Sequence, residues 1–291
     1  MNGLLVFDKP PGLTSHDVVS LVRRASGERS VGHLGTLDPM ATGVLPLLLG
    51  KWTRLAQFFG AAEKWYEGTI RFGWATDTYD LEGHPAAEPS PLNASLDALR
   101  TLGARFHGTL DQVPPIFSAK KINGVPAYKL ARAGKEVPVK PARITIHEFV
   151  LKSLQDECAT FTMHVSAGGY VRSVAHELGQ LAGCGAHLQS LRRTRAGQFS
   201  LDAAVTQAGL IEAANGETVS GLLLHPRAVL PELPAVLADE NAQAKLRNGM
   251  AVNLPEFSQA PLVRVFGKGH ELLAIGRRIA GTLIQPLVNL A

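Results

Sequence analysis

Gly32-His33-Leu34-Gly35-Thr36-Leu37-Asp38-Pro39-Met40-Ala41-Thr42-Gly43 interrupts the regular periodicity of the chain around it. The glycines let backbone run close to another group, and the Pro39 ring biases Asp38 away from the α region. The stretch therefore reads as a shaped loop that presents one carboxylate, followed by an apolar run from Val44 to Leu49. Two readings of Asp38 stay open. It is the N-cap of an ordinary helix with Pro39 at N1, or it is a nucleophile or base held out on a rigid scaffold. No Gly-Lys-Ser/Thr ending follows, so the loop is not a phosphate-binding P-loop, and no dinucleotide fingerprint supports a Rossmann reading.

Upstream, Leu4–Phe7 is a short apolar strand, Pro10-Pro11-Gly12 a turn, and Thr14-Ser15-His16-Asp17 a capping pattern before Val18, Val19 and Val22 at helical spacing. Downstream, alternation from Trp65 to Phe72 predicts a strand with Tyr66, Ile70 and Phe72 on one face. Residues 82–94 read as an exposed connection before a helix at Ser95–Leu102. A strand at Ala159–Val165 leads through Gly168-Gly169 to an amphipathic helix bearing Val171, Val174, Ala175, Leu178 and Leu181. Pro226, Pro231 and Pro234 then punctuate a connection. Short β-like segments follow at Val263–Phe266, Leu272–Ile275 and Leu283–Val288, which predicts a second domain from about residue 233.

The 291 residues, 45% hydrophobic and 19% charged, are enough to build a sizeable core and exclude a disordered chain or a stapled miniprotein. Two cysteines, Cys158 and Cys184, lack CxxC spacing, so neither a disulfide framework nor a zinc ribbon is expected, and a reducing cytoplasm is the simplest compartment. Neither a secretory leader nor a membrane span is expected. The net charge of +4 permits a nucleic-acid partner without requiring one. Residues 113–143 concentrate Lys120, Lys121, Lys129, Arg132, Lys135, Lys140 and Arg143 against the single acid Glu136. This run and Arg192-Arg193-Thr194-Arg195 are either solvated faces or phosphate contacts.

The central loop, continued through Val44-Leu45-Pro46, resembles the catalytic motif of the bacterial tRNA pseudouridine-55 synthases, the TruB family. Other segments match in the same order: Phe7-Asp8-Lys9-Pro10-Pro11-Gly12; Tyr66 in its strand; Thr76-Asp77-Thr78-Tyr79-Asp80; Pro114-Pro115-Ile116-Phe117-Ser118-Ala119-Lys120 with Gly124, Tyr128 and Ala131-Arg132; and Gly169-Tyr170-Val171-Arg172-Ser173 through Leu191-Arg192-Arg193-Thr194. Leu34, Trp52 and Gly169 depart from the family pattern.

The resemblance implies an α+β fold. A catalytic domain over residues 1–232, with a mixed, mainly antiparallel sheet, would precede a small β-barrel-like PUA domain over 233–291. A generic β domain is the alternative for the second part. It implies an isomerase that converts uridine 55 of the tRNA T-loop by base flipping, with no cofactor and no metal, acting in the cytoplasm as a monomer on the tRNA T-arm without an obligatory protein partner. Asp38 would be catalytic, held by Arg172, which would keep the carboxylate ionised by lowering its pKa. Tyr66 would be catalytic too, stacking on the target base and helping to deprotonate C5 after rejoining, and His33 would fill space vacated in the T-loop. Lys9, Asp80, Lys120, Lys121, Arg132 and Tyr170 would complete substrate binding. Taken alone, Arg172 reads equally as a surface arginine, Tyr66 as a core tyrosine and His33 as a hydrogen-bonded loop residue. A relative acting on another RNA and a tRNA-folding helper are the rival functions.

Overall fold

Thr14 caps the first helix as its sequence requires. Its hydroxyl accepts the Asp17 N–H at 3.0 Å, and the Asp17 carboxylate accepts the Thr14 N–H at 2.8 Å, a reciprocal capping box. Gly27 closes the helix in the left-handed region at φ 66°. This computed structural model describes residues 1–118, 120–122, 124–216 and 218–291. Helix α1 (Ser15–Ser26) follows β1 (Gly3–Lys9) and precedes β2 (Val31–His33), β3 (Thr42–Leu49) and β4 (Lys64–Phe72). Next come α2 (Leu96–Gly103), β5 (Gly108–Gln112), a small hairpin of β6 (Lys121–Ile122) and β7 (Val125–Pro126), and α3 (Ala127–Arg132). Strands β8 (Ala142–Gln155) and β9 (Cys158–Val165) lead to α4 (Val171–Ala182), β10 (Ala186–Ala196), β11 (Phe199–Ser200) and α5 (Gln207–Asn215). The chain ends with β12 (Ala235–Leu237), α6 (Glu240–Arg247), β13 (Val252–Asn253), β14 (Leu262–Phe266), β15 (Leu272–Ala280) and β16 (Leu283–Asn289).

One sheet runs in the order β1-β3-β10-β4-β9-β8-β5, with β2 on β3 and β11 on β10. β3 and β10 are parallel, whereas β1 and β3, β4 and β10, β4 and β9, and β8 and β9 are antiparallel. The mixed, mainly antiparallel sheet expected from the sequence is thus present. Helices α1, α2, α4 and α5 cover one face, where Val18, Val22, Leu99, Val174, Leu178 and Leu210 pack on Leu5, Phe7, Leu47, Ile70 and Phe72. Strands β1 and β3 bury both faces, which explains their unbroken apolar runs.

Two expectations change. Residues 31–33 form a short strand, so the loop is confined to 34–41, and Pro39-Met40 is a turn closed by the Ala41 N–H on the Asp38 carbonyl at 3.1 Å rather than a helix start. The Arg192–Arg195 run lies in β10, a middle strand; Arg193 is 1% exposed, whereas Arg195 is exposed as expected.

The last five strands form a second sheet, β12-β14-β15-β16-β13. It has a core of its own around Val236, Leu246, Val263, Val265 and Ile284. Its other apolar side, with Phe266, Leu272, Ile275 and Val288, joins Leu4, Val6, Leu48, Trp52 and Phe59 in one buried cluster. The proline-punctuated connection is not free chain. Arg264 donates to the carbonyls of Leu233 (2.8 Å), Arg227 (2.7 Å), Val229 (3.1 Å) and Pro231 (3.3 Å), winding that segment around a single guanidinium.

Candidate active site

The loop around Asp38 is fixed on both sides by the segment that precedes it in the chain. Ser15 Oγ, in the first turn of α1, accepts the Leu37 N–H at 2.8 Å and donates to the Leu37 carbonyl at 3.1 Å. The Pro39 carbonyl accepts from the Gly12 N–H at 2.9 Å and from Lys9 Nζ at 3.1 Å. Arg193 donates to the carbonyls of Gly35 (3.1 Å), Thr36 (3.5 Å) and Val44 (2.7 Å). Gly43, at φ 99°, lies so close to the Arg193 backbone that a Cβ there would collide with it. Gly43 thus serves close approach, Gly35 supplies backbone at φ 102°, and the rigidity of the loop comes from donors supplied by distant parts of the chain.

Arg172, in the first turn of α4, faces this loop. Its Nε meets Asp38 Oδ2 at 2.9 Å and its Nη2 meets Asp38 Oδ1 at 3.2 Å, a two-point contact. Nη2 also donates to the Phe117 carbonyl at 2.9 Å, and Nη1 donates to the Thr78 carbonyl at 3.0 Å and to Asp80 Oδ2 at 3.1 Å. Of the five N–H donors of a guanidinium, the four on Nη1 and Nη2 are hydrogen-bonded and Nε lies in the ion pair with Asp38. The start of α4 is fixed in turn: Gln112 brackets Tyr170 by accepting its N–H at 2.8 Å and donating to its carbonyl at 3.0 Å. Ser173 Oγ donates to the Val113 carbonyl at 2.8 Å.

Asp38 and Arg172 line a cleft of about 470 Å³ together with Tyr66, Lys64, Pro114, Lys120, Tyr170, Leu191 and Arg193. That volume suits a nucleoside-sized ligand. The Arg172 side chain is 6% exposed and that of Asp38 32%, so the carboxylate keeps one side open to the cleft while the guanidinium is packed away. Burial raises the Asp38 pKa above its ordinary value. Arg172 pulls it down, Asp80 pushes it up, and Lys9 and Arg193 pull it down less. The expectation that Arg172 sets a lowered pKa is therefore corrected, because loss of water around the carboxylate outweighs the neighbouring cation. Burial also pushes the Tyr170 phenol up. A larger cleft of about 530 Å³ opens beside Glu67, Thr69 and Arg192, but it lacks the carboxylate and guanidinium pair.

Other residues sit differently from expectation. Lys9 is fully buried, its ammonium committed to the carbonyls of Pro10 (2.8 Å), Leu13 (2.6 Å) and Pro39 (3.1 Å), and burial lowers its pKa to about 8. Placed this way it clamps the loop and has no donor left for a substrate. Asp80, 2% exposed, accepts from Thr78 Oγ1 at 2.6 Å, the Glu82 N–H at 3.1 Å and Arg172, and so anchors Arg172 instead of facing the cleft. Arg193 holds backbone and is no phosphate contact, and Arg192 pairs with Asp8 at 2.8 Å. His33 ends β2; its Nδ1 is buried without a hydrogen-bond partner among the described residues, and burial lowers its pKa. Lys120 donates to the Lys140 carbonyl at 3.0 Å at the cleft's edge. Arg132 is exposed on α3, 5.7 Å from the Tyr128 ring centroid. The side chain of Lys121, and Ala119 of the matched segment, lie outside the described residues.

Three contributors were not given their roles from the sequence. Ser15 and Arg193 act on the loop through its backbone, which no spacing shows. Lys64 was within reach of sequence reasoning, because it lies two residues before Tyr66 on a strand and must share its face. Tyr79 adds a fourth: it sits at φ 66° between the two groups that receive Arg172 Nη1, stacked on His176 at 3.8 Å. A left-handed tyrosine is strained, and the stack holds it in place.

Comparison with known proteins supplies an independent view of this arrangement. Residues 23–171 match the family model described as TruB family pseudouridylate synthase (N terminal domain), and residues 172–230 match that of the tRNA pseudouridylate synthase B C-terminal domain. The tRNA pseudouridine synthase B of Solibacter usitatus (strain Ellin6076) is 42% identical over 291 residues, covering 99% of each chain. That of Geotalea uraniireducens (strain Rf4) is 42% identical over 267 residues, covering 91% of this chain and 86% of the relative. Among solved structures, a chain from a Cbf5-Nop10-Gar1 complex superposes with a TM-score of 0.70 at 26% identity, covering 98% of this chain and 83% of its own. That coverage takes in the small C-terminal sheet, in keeping with a PUA-like fold there.

Proposed function

The chain belongs to the TruB family of pseudouridylate synthases, and on that premise we propose that it isomerises uridine 55 in the T-loop of tRNA to pseudouridine. The observation that carries the reading is the two-point contact between Arg172 and Asp38 at 2.9 and 3.2 Å beside Tyr66 in one cleft. The reaction breaks the N1–C1′ bond, turns the base and joins C5 to C1′. C5 loses its proton and N1 gains one, so neither electrons nor a cofactor are required. Asp38 is the group that acts on the flipped nucleotide, as nucleophile or base, with its orientation set by Arg172. Tyr66 supports the base from the cleft wall. Flipping costs roughly a few kcal/mol of stacking, drawn from contacts elsewhere on the tRNA.

Those contacts are assigned to the exposed cations Lys129, Arg132, Lys135, Lys140 and Arg143 and to the T-arm phosphates. Residues 1–232 are proposed as the catalytic unit and 233–291 as an RNA-binding unit, a division supported by the separate core and sheet of the latter. Among the described residues no helix is long and apolar enough to cross a membrane, and both cysteines are free thiols. The proposal places the reaction in the cytoplasm, carried out by a monomer without an obligatory protein partner. The test is incubation with unmodified tRNA followed by mapping of pseudouridine at each position, with Asp38→Asn as control. Modification at position 55, lost in the variant while tRNA binding persists, is expected. Modification at another position overturns the substrate assignment, and turnover by the variant overturns the role of Asp38.

A further inference from the structure

On the face of the main sheet opposite Tyr66, three side chains from three neighbouring segments meet. Glu63 lies just before β4, His164 near the end of β9 and His147 near the start of β8. His147 Nε2 is 3.0 Å from Glu63 Oε1, and His164 Nε2 is 2.7 Å from Glu63 Oε2. One ligand atom from each residue lies within 4.8 Å of the others. The strand register produces this meeting. Trp65 pairs with His164, and the β8–β9 ladder slips between Ile146 and Glu148, leaving His147 as the extra residue of a bulge. A bulge re-aims a side chain, and here it brings His147 to the face that carries His164.

The rings are held before any ligand arrives. His164 stacks on Trp65 with centroids 4.0 Å apart and planes at 14°, and His147 lies 4.5 Å from His164. Arg195 covers Trp65 at 4.6 Å. The side chains of Glu63, His147 and His164 are 42%, 35% and 20% exposed, so water reaches the side they share.

We infer that Glu63, His147 and His164 form a zinc site outside the catalytic cleft. Two imidazoles and a carboxylate with solvent access are a three-ligand set suited to zinc, whereas calcium and magnesium favour oxygen donors throughout. Around a tetrahedral zinc with bonds near 2.0–2.1 Å, ligand atoms stand roughly 3.3 Å apart. The two Glu63–histidine separations, each to a different carboxylate oxygen, are a few tenths of an ångström shorter, and the two imidazole nitrogens lie within 4.8 Å, so the exposed Glu63 must turn and withdraw slightly to bring one oxygen onto a cation shared by both rings. Each imidazole then presents a bare Nε2 with its proton on Nδ1, and water takes the fourth position. Because Lys64 follows Glu63 and lines the cleft, the cation would tie three segments together behind the cleft wall without touching the reacting atoms.

The test is independent of the proposed reaction. The full chain, stripped with a chelator, is titrated with zinc by calorimetry at pH 7.5, and cobalt is then used as a spectroscopic probe. One equivalent is expected to bind with a micromolar or tighter Kd, and cobalt to give the visible bands of a tetrahedral site. Glu63→Gln, His147→Gln and His164→Gln should each weaken binding about tenfold or more, while His107→Ala, at an exposed histidine elsewhere, should not. Zinc should raise the melting temperature of the parent and not of His147→Gln, which also shows whether that variant folds. Absence of stoichiometric binding, or binding equally tight in all three variants, overturns the inference and leaves a hydrogen-bonded Glu–His cluster.

Discussion

Arg172→Lys keeps the positive charge and discards the shape, which makes it the sharpest probe of the site. The five contacts of Arg172 reach Asp38 twice, Asp80, and the carbonyls of Thr78 and Phe117. An ammonium has three donors radiating from one point, so at least two of the five acceptors lose their partner in a site where the guanidinium is 6% exposed. At about 1.5–3 kcal/mol for each hydrogen bond to a charged group, the gross loss is about 3–6 kcal/mol. Part of it falls on folding and part on the orientation of Asp38. If about 3–4 kcal/mol reaches the barrier, kcat falls by roughly 10²- to 10³-fold. The exposed cations proposed to contact tRNA keep their side chains in this variant, so Kd for tRNA should stay within about threefold, less than 1 kcal/mol. Single-turnover pseudouridine formation on a saturating T-arm stem-loop measures the first quantity, and filter binding the second. A well-folded Arg172→Lys protein that turns over within about fivefold of the parent, a cost near 1 kcal/mol, would show that the two-point contact does not position the carboxylate.

Asp80→Asn removes a negative charge that pushes the Asp38 pKa up while leaving an oxygen to face Arg172. If Asp38 acts ionised, kcat/KM falls as pH drops through its pKa, and in this variant that acid limb should move to lower pH; an unmoved or upward-shifted limb contradicts the assigned interaction. For Lys9, burial lowers the pKa from 10.5 in the unfolded chain to about 8 in the fold, so between those values the unfolded chain binds more protons and stability rises with pH. Denaturant titrations from pH 7 to 10.5 should show that rise in the parent and lose it in Lys9→Met, which should also be less stable overall because three carbonyls lose their donor. Ending the chain at Leu230 removes Phe266, Leu272, Ile275 and Val288 from the shared apolar cluster. At about 1.5–3 kcal/mol for each buried side chain, that loss rivals a typical total stability of about 5–15 kcal/mol. The fragment should therefore aggregate or melt without cooperativity, contrary to the folded fragment that a proline-rich linker suggests, and a soluble fragment with the parent's melting temperature would refute this.

Local signals in the sequence read true where local interactions decide the structure. The Thr14/Asp17 box, the Tyr66 alternation and the α4 stripe each became the element that their spacing describes, except that Leu181 at the end of the stripe is exposed. What escaped depends on pairing across long separations. β10 carries Arg192, Arg193, Thr194 and Arg195, a run that looks like surface, yet its strand pairs with β3 and β4 far upstream. Asp80 and Lys9 belong to matched segments and read as substrate ligands. The partners that turn them away from the cleft include Arg172 Nη1 at 3.1 Å for Asp80 and the Pro39 carbonyl at 3.1 Å for Lys9, 92 and 30 residues away along the chain. The Glu63, His147 and His164 cluster is a stronger case, since no zinc-like spacing exists and a bulge aligns it.

A common device runs through these surprises. Lys9, Arg172, Arg193 and Arg264 are all buried, and each donates to backbone carbonyls of irregular segments. Irregular backbone cannot satisfy its own carbonyls as a helix or sheet does. A guanidinium, with five donors in a fixed plane, can satisfy several at once and set their relative positions. Burying a cation carries a desolvation cost that apolar packing would not, so specification of loop geometry is what such residues contribute. Arg193 and Lys9 define the Asp38 loop, Arg172 aims its carboxylate, and Arg264 fixes the connection to the second sheet. The net charge of +4 is therefore a poor measure of attraction for RNA, because part of the basic complement points inward. The contacts proposed for tRNA fall instead on the exposed Lys129, Arg132, Lys135, Lys140 and Arg143, in a segment with one acid. Salt should accordingly weaken tRNA binding far more than it weakens turnover of bound substrate, since screening acts on the exposed cations and hardly on the buried ones.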